Sequence, residues 1–307
     1  IHASLPIIYP CFHHSCHFQF TTVFPIKVGY AQTEPIKKSS VQNKIDREKP
    51  MHSIFISGAA QGIGAAIATL FYQHGYKVGI YDINEIQAQK LAQRLGTNAK
   101  AGLLDVCHYE QWQQALNEFQ AWAGEINILV NNAGILYSGA FEQTDIAAHQ
   151  RTFNINVNGV LNGCHAALPF LRQASFARVI NLSSASAIYG QPDLVSYSAS
   201  KFAVRGITEG LDIEWQKYGI RVLDVRPLFV QSAMVKDMDA GSIQNMGVHL
   251  TAEDVAQAIY ARVQAKDSIF TKTHQAVGLK TKVLMTLSKL SPQFLNRMSN
   301  RFLAKKK

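Results

Sequence analysis

Ile54-Phe-Ile-Ser-Gly-Ala-Ala-Gln-Gly-Ile-Gly64 decides the fold. A short apolar run, Ile54–Ser57, reads as a buried strand. A glycine-rich turn follows, and then Gly64–His74, with Ile67, Leu70 and Phe71 at helical spacing. In a strand–turn–helix unit the three glycines have separate tasks. Gly58 allows a tight turn, Gly62 lets a backbone approach a pyrophosphate, and Gly64 permits close helix–strand packing. A helix start offers free amides and partial positive charge to phosphates. Ser57, Gln61 and Ile63 complete the set expected to touch a dinucleotide. An ordinary glycine turn is the bland alternative, and the context argues against it.

Outward from that turn, strands and helices alternate. Strands are expected at Lys77–Tyr81, Ala101–Leu104, Ile128–Val130, Arg178–Leu182 and Arg221–Val225, with a seventh at Ile269–Lys272. Helices are expected at Ile86–Leu95, Tyr109–Trp122, Ala147–Leu171, Val195–Tyr218 and Thr251–Gln264, the last with a Thr251 cap and Asp254 at its third helical position. Strands this apolar imply an α/β fold, a Rossmann-type doubly wound parallel sheet with helices on both faces. The second strand runs into Asp82, about twenty residues past the glycine turn, where a carboxylate can accept hydrogen bonds from a ribose diol. It would repel a 2′-phosphate, and no Lys or Arg in the turn offsets that. NAD is therefore expected over NADP; a solvated strand-end role is the alternative for Asp82.

Tyr197-Ser-Ala-Ser-Lys201 sets a phenol and an ammonium one helical turn apart. Ser184 lies thirteen residues upstream. A neighbouring cation favours phenolate, and so prepares a tyrosine, ordinarily titrating near 10, for acid–base work on an alcohol or carbonyl. Taken singly, Tyr197 and Lys201 are often just surface neighbours, and Ser184 could cap a turn.

Together these residues resemble the short-chain dehydrogenase/reductase family over roughly residues 51–271. The cofactor loop matches at Ser57 to Gly64, an adenine-side pair at Asp105-Val106, and a turn at Asn131-Asn132-Ala133-Gly134. The family's catalytic Asn, Ser, Tyr and Lys are similar to Asn156, Ser184, Tyr197 and Lys201. The resemblance implies a nicotinamide cofactor and hydride transfer between alcohol and carbonyl. It implies that Ser184 orients the substrate oxygen, that Lys201 holds the nicotinamide ribose, and that Asn156 holds a water linking Lys201 to solvent. It also implies homodimers or homotetramers through the two long helices. After the sixth strand the family has Pro-Gly and then Thr; this chain has Pro227-Leu228-Phe229-Val230-Gln231-Ser232, so Pro227, Val230 and Ser232 are the expected nicotinamide contacts, and Leu228 adds bulk where glycine is usual. A non-catalytic NAD-binding sensor or membrane-surface scaffold is the alternative function, and the intact Ser184, Tyr197 and Lys201 argue against it.

The net charge of +9 belongs to the chain ends. Residues 272–307 hold nine Lys/Arg and no Asp/Glu, and residues 1–50 hold six basic and three acidic residues. The remaining 51–271 carry fifteen basic and eighteen acidic residues, an acidic body that excludes a nucleic-acid-binding one. Residues 1–50 are expected to be a disordered leader outside the natural protein, which would begin at Met51. Their Cys11-Phe-His-His-Ser-Cys16-His17 run has metal-ligand residue types but no second cluster, and no metal is expected. The four cysteines make no disulfide framework, which suits a reducing, cytoplasmic compartment. Phe229–Leu250, with Met234, Val235, Met238 and Met246, is expected to cover an apolar substrate, or else to pack on its own domain. Two basic amphipathic helices are expected in the tail, Val277–Leu290 and one capped by Ser291 with Pro292 at its first position. Three readings stay open for residues 275–307: contact with an anionic membrane at its inner face, docking on the enzyme or a second subunit, or disorder.

Overall fold

The computed structural model describes residues 51–231, 240–268 and 270–305. The expected leader with its His/Cys run, and Ser232, Met234, Val235, Met238 and Ile269, lie outside the described residues. Seven strands, β1 (Ser53–Ser57), β2 (Lys77–Asp82), β3 (Ala99–Leu103), β4 (Ile128–Asn131), β5 (Ala177–Leu182), β6 (Ile220–Arg226) and β7 (His274–Ala276), form one parallel sheet. Their order, β3-β2-β1-β4-β5-β6-β7, reverses direction at β1/β4.

Alternate residues of each strand feed two cores. Ile54, Ile56, Ile80, Val130 and Val225 pack beneath α1 (Gly62–Gln73) and α2 (Glu85–Leu95), with Val255 and Ile259 from a later helix. Phe55, Leu129, Val179 and Val222 pack against α3 (Tyr109–Ala123), α5 (Gly159–Leu171) and α6 (Val195–Glu214) on the other face. Both faces are covered, which is why the strands read as nearly unbroken apolar runs.

Three expectations need correction. The helix read as Ala147–Leu171 is three pieces: α4 (Ile146–Phe153), a π-helical turn at Asn154–Asn158, and α5. The apolar spacing runs on through the break, so periodicity misses it. At that break Asn156 is turned onto the backbone of Ile135. The seventh strand is His274–Ala276, not Ile269–Lys272. It is anchored by main-chain bonds from Asp224 N to Thr273 O and Val277 N to Arg226 O, and by the His274 ring on the buried Asp224 carboxylate at 2.8 Å. A polar strand held by a buried charge carries no apolar pattern. In the tail, Ser291 ends one helix and Pro292 caps the next, so Pro292 is not the first helical residue.

After β6 come α7 (Gly241–Met246), α8 (Ala252–Gln264), α9 (Leu279–Leu290) and α10 (Gln293–Leu303). The expected Thr251/Asp254 capping box at α8 is present in both directions. No helix among the described residues is long and apolar enough to cross a membrane.

Candidate active site

The glycine turn, Asp82, the Asn131–Gly134 turn, Ser184 and Pro227 all lie at carboxyl ends of strands, around the β1/β4 reversal where open α/β sheets bind ligands. Gly58 and Gly62 have φ of 64° and 56°, a region that side chains disfavour. A Cβ on Gly64 would sit 2.3 Å from Gly58 O and 2.6 Å from Asn132 Nδ2, so only glycine fits there. Asn132 Nδ2 donates to Ser57 O and Gly58 O at 3.1 and 2.7 Å. Ser57 Oγ accepts from the amides of Asn132 and Ala133 at 3.2 and 3.3 Å. The Ser57 hydroxyl therefore clamps β1 to β4. Gln61 stands at the N-cap of α1 with no side-chain cap, which leaves the first-turn amides to other partners. Ile63 packs on the first core.

Asp82 closes the strand end. Its Oδ2 accepts from Ala60 N and its Oδ1 from Asn84 N, each at 2.9 Å, tying the glycine turn to the end of β2. Each carboxylate oxygen keeps accepting capacity for a diol. Beyond β3, Asp105 Oδ1 accepts from Cys107 N at 3.0 Å. Val106 is buried, its carbonyl held by Trp112 Nε1 and Asn162 Nδ2, both at 3.1 Å. The turn glycines, the open helix start and the Asp82 carboxylate fit a dinucleotide.

Four candidate catalytic side chains meet at the β5/α6 junction. Ser184 ends the strand-to-turn passage, and its Oγ accepts from Ser186 N at 3.1 Å. The Ser184 hydroxyl also faces the Tyr197 phenol closely enough to lower its proton affinity. Lys201, one turn further along α6, is buried. Its Nζ donates to Leu182 O at 2.7 Å and lies 5.6 Å from the Tyr197 ring centre. Asn156 is fully buried. Its Oδ1 accepts from Ile135 N at 2.8 Å, and its Nδ2 donates to Ile135 O and Ser200 Oγ at 2.9 and 3.1 Å. Ser200, Ile135 and Leu182 are supports that sequence reasoning did not single out; two of them act through backbone atoms, which no motif encodes.

Electrostatics here runs against expectation. Burial pushes the Tyr197 phenol above its ordinary value, and the Ser184 hydroxyl only opposes this. Burial pushes Lys201 down to about 8, with the Asp224 carboxylate opposing. Burial is thus the dominant influence on this phenol, and it favours the protonated form. Asp224 is itself fully buried, bridged through both oxygens to Arg226 Nε and Nη2 at 2.8 Å. Cys107 and Cys164 are free thiols pushed up to about 11 and about 12 by burial, which marks them as inert.

Gly134 borders Asn156 and Lys201. A Cβ there would lie 3.2 Å from Asn156 Oδ1 and 3.7 Å from Lys201 Nζ. Gly134→Ala should fold normally and lose about three- to tenfold in kcat by crowding that space, on the scale of a small misplacement at a reacting site; steady-state kinetics beside a melting curve checks this.

Past β6, Pro227 O accepts from Ala185 N at 2.8 Å, tying this stretch to the Ser184 turn. Phe229 and Val230 are buried, and Val230 bridges to Leu250, with Gln231 N donating to Leu250 O at 2.8 Å. Leu228 does not need a glycine-like backbone: Asp193 is the only non-glycine with positive φ among the described residues. Its effect is bulk alone.

A family model described as short chain dehydrogenase matches residues 52–242. The chain is 34% identical over 179 residues to a 3-alpha-(or 20-beta)-hydroxysteroid dehydrogenase of Mycobacterium tuberculosis, covering 58% of this chain and 69% of that one. Among solved structures it is similar to a 3-ketoacyl-(acyl-carrier-protein) reductase from Brucella melitensis complexed with NADH, at 27% identity and TM-score 0.69, covering 74% and 96% of the two chains. It is also similar to a gluconate 5-dehydrogenase from Burkholderia cenocepacia in complex with NADP and tartrate, at 28% identity and TM-score 0.62, covering 67% and 86%.

Proposed function

Because the chain belongs to the short chain dehydrogenase family and is thus an oxidoreductase of hydroxyl and carbonyl groups using a nicotinamide dinucleotide, we propose that Tyr197 is its proton-transfer residue, that NAD is preferred over NADP, and that the substrate is a lipophilic alcohol or ketone. The observation that carries this is Tyr197 set beside Ser184 and a buried Lys201, whose Nζ lies 5.6 Å from the Tyr197 ring centre.

When bound, the dinucleotide supplies the hydride acceptor or donor. Gly58, Gly62, Gly64 and the start of α1 would hold its pyrophosphate; Asp82 would hold one ribose diol and Lys201 the other; Asp105, Val106, Asn132, Ala133 and Gly134 would border the adenine side and the ribose. Pro227 and Val230 would border the nicotinamide, and Ser232 offers a hydroxyl in the sequence beside them. In oxidation Tyr197 Oη takes the substrate hydroxyl proton, and in reduction it returns one. Ser184 Oγ orients the substrate oxygen. Asn156 Oδ1, with one lone pair left after Ile135 N, accepts from a water beside Gly134 and so connects Lys201 to solvent.

The NAD preference is tested by Asp82→Ala. Loss of the carboxylate should lower the NAD-over-NADP ratio of kcat/KM by about tenfold or more, the size of one charge-assisted contact; an unchanged ratio rejects it. Lipophilicity is supported by the apolar Phe229, Val230 and Leu250 of the segment that follows Pro227, although Val230 and Leu250 also pack into the core of the domain. An NADH-coupled screen over sterols, medium-chain alcohols, retinoids and hydroxyacyl thioesters tests it, and turnover confined to polar polyols would reject it. The partly exposed Phe153, Leu161 and Phe202 and the exposed Ile213, on α4 to α6, support a homo-oligomer through those helices, measurable as native mass.

A further inference from the structure

The tail is amphipathic in the reverse sense. In α10 the side turned to the protein is Asn296, Asn300, Leu303 and Ala304, each only partly exposed. Asn296 Nδ2 donates to Ser288 O and Ser291 O at 3.0 and 3.2 Å, and Asn300 Nδ2 donates to Gly190 O at 2.5 Å. Asn245 Nδ2 of α7 donates to Leu303 O and Lys305 O at 2.9 and 2.8 Å, and Lys280 Nζ donates to Met246 O at 2.8 Å. The docking part of the open question is thus met by polar contacts. The opposite side of α10 holds Phe294, Leu295, Met298 and Phe302, between 42% and 76% exposed. In α9, Leu279, Val283, Leu287 and Leu290 recur at intervals of four, four and three, between 47% and 78% exposed.

A free surface helix keeps its polar side to water; this one spends its polar side on the protein and turns phenyl rings outward. Arg297 and Arg301 stand beside the Phe294–Phe302 stripe, and residues 272–307 hold nine cations and no acid. Apolar side chains fringed by cations are the chemistry of an interface with anionic lipid, where acyl boundary and headgroups lie side by side. We infer that α9 and α10 form a monotopic docking surface for an anionic bilayer, with α10 seated on the enzyme by the side that holds Asn296 and Asn300. Because α10 bonds both α7 and the Gly190 loop, between Ser184 and Tyr197, that bilayer would lie beside the segment expected to cover the substrate. The inference holds whatever the substrate proves to be.

Vesicle flotation of the full chain tests it, with phosphatidylcholine alone against phosphatidylcholine containing phosphatidylglycerol. Binding should be about tenfold or more stronger on the anionic vesicles and weaken with salt. Phe294→Ser/Met298→Ser/Phe302→Ser should lower it about tenfold or more, because these exposed rings contribute only on insertion, while circular dichroism and melting stay unchanged. Arg297→Gln/Arg301→Gln should reduce the preference for anionic vesicles, a second variant that leaves the apolar stripe intact. Equal flotation on both vesicle types, or none on either, overturns the inference. So does a triple variant that sediments as a smaller species while its vesicle binding is unchanged, since the stripe would then be a contact between copies of the chain.

Discussion

Tyr197→Phe is expected to lower kcat by about 10³-fold, within the range that a positioned acid–base group contributes, while dinucleotide affinity measured by fluorescence titration stays within about twofold. The substitution removes one oxygen and keeps the ring. The Ser184 hydroxyl retains its Ser186 bond, and Lys201 keeps its anchor on Leu182 O, so the cradle around the cofactor persists. The pH profile adds a stronger test. Burial holds this phenol above its ordinary value, and Lys201, itself pushed down, does not reverse that. The positive charge of an oxidised nicotinamide, when bound, would favour the ionised phenol. Oxidation needs the phenolate, so its rate should rise with pH; reduction needs the phenol and should fall as pH rises. The apparent pKa of kcat in oxidation should lie below that of the phenol titrated in the free protein. Near-wild-type turnover by the phenylalanine variant would remove Tyr197 from the mechanism.

Much of this site is legible because it sits where strands end. A buried parallel strand reads as an apolar run, so Ile54–Ser57, Lys77–Asp82 and Ala177–Leu182 announce themselves, and the residues just after them are candidates by position. Tyr197 and Lys201 are legible through helical spacing. Legibility fails where tertiary contacts choose among patterns that look alike. Four asparagines between 154 and 162 fit a continuous helix as well as a π-helical turn. The choice is made by Asn156 finding the Ile135 backbone. His274–Ala276 pairs as a strand where its main chain meets β6 and its His274 ring reaches the buried Asp224 carboxylate. In the tail, spacing reveals the apolar stripe but not which side faces the protein. The same limit explains the charge reversal at Tyr197: adjacency is a property of sequence, whereas desolvation belongs to the packed fold.

Lys201→Met follows from that reversal and separates stability from chemistry. Turnover should fall by about 10²-fold or more, on the scale of lost acid–base assistance, since no ammonium remains to favour the phenolate or hold a ribose. Stability should respond differently. Burial pushes the Lys201 ammonium down to about 8 in the folded chain, from an ordinary value of 10.5. Between those values the unfolded state binds the extra proton, so this residue's cost to the fold is full below pH 8 and is relieved as pH rises. The relief is at most about 1.4 kcal/mol per pH unit for one proton. Six groups among the described residues pull the other way. Cys107, Cys164, Tyr76, Tyr81, Tyr189 and Tyr197 hold their protons more tightly folded than unfolded, so each lowers stability as pH rises past about 9 for the thiols and about 10 for the phenols. The wild-type curve alone mixes these signs, but the thiols and the phenols away from Lys201 contribute to both proteins alike. The difference in unfolding free energy, wild type minus Lys201→Met, should therefore climb between pH 8 and pH 10 in denaturant titrations. A flat difference across that window would mean that Lys201 is not a desolvated cation in the folded chain, and that the cation beside Tyr197 is closer to solvent than its bond to Leu182 O requires.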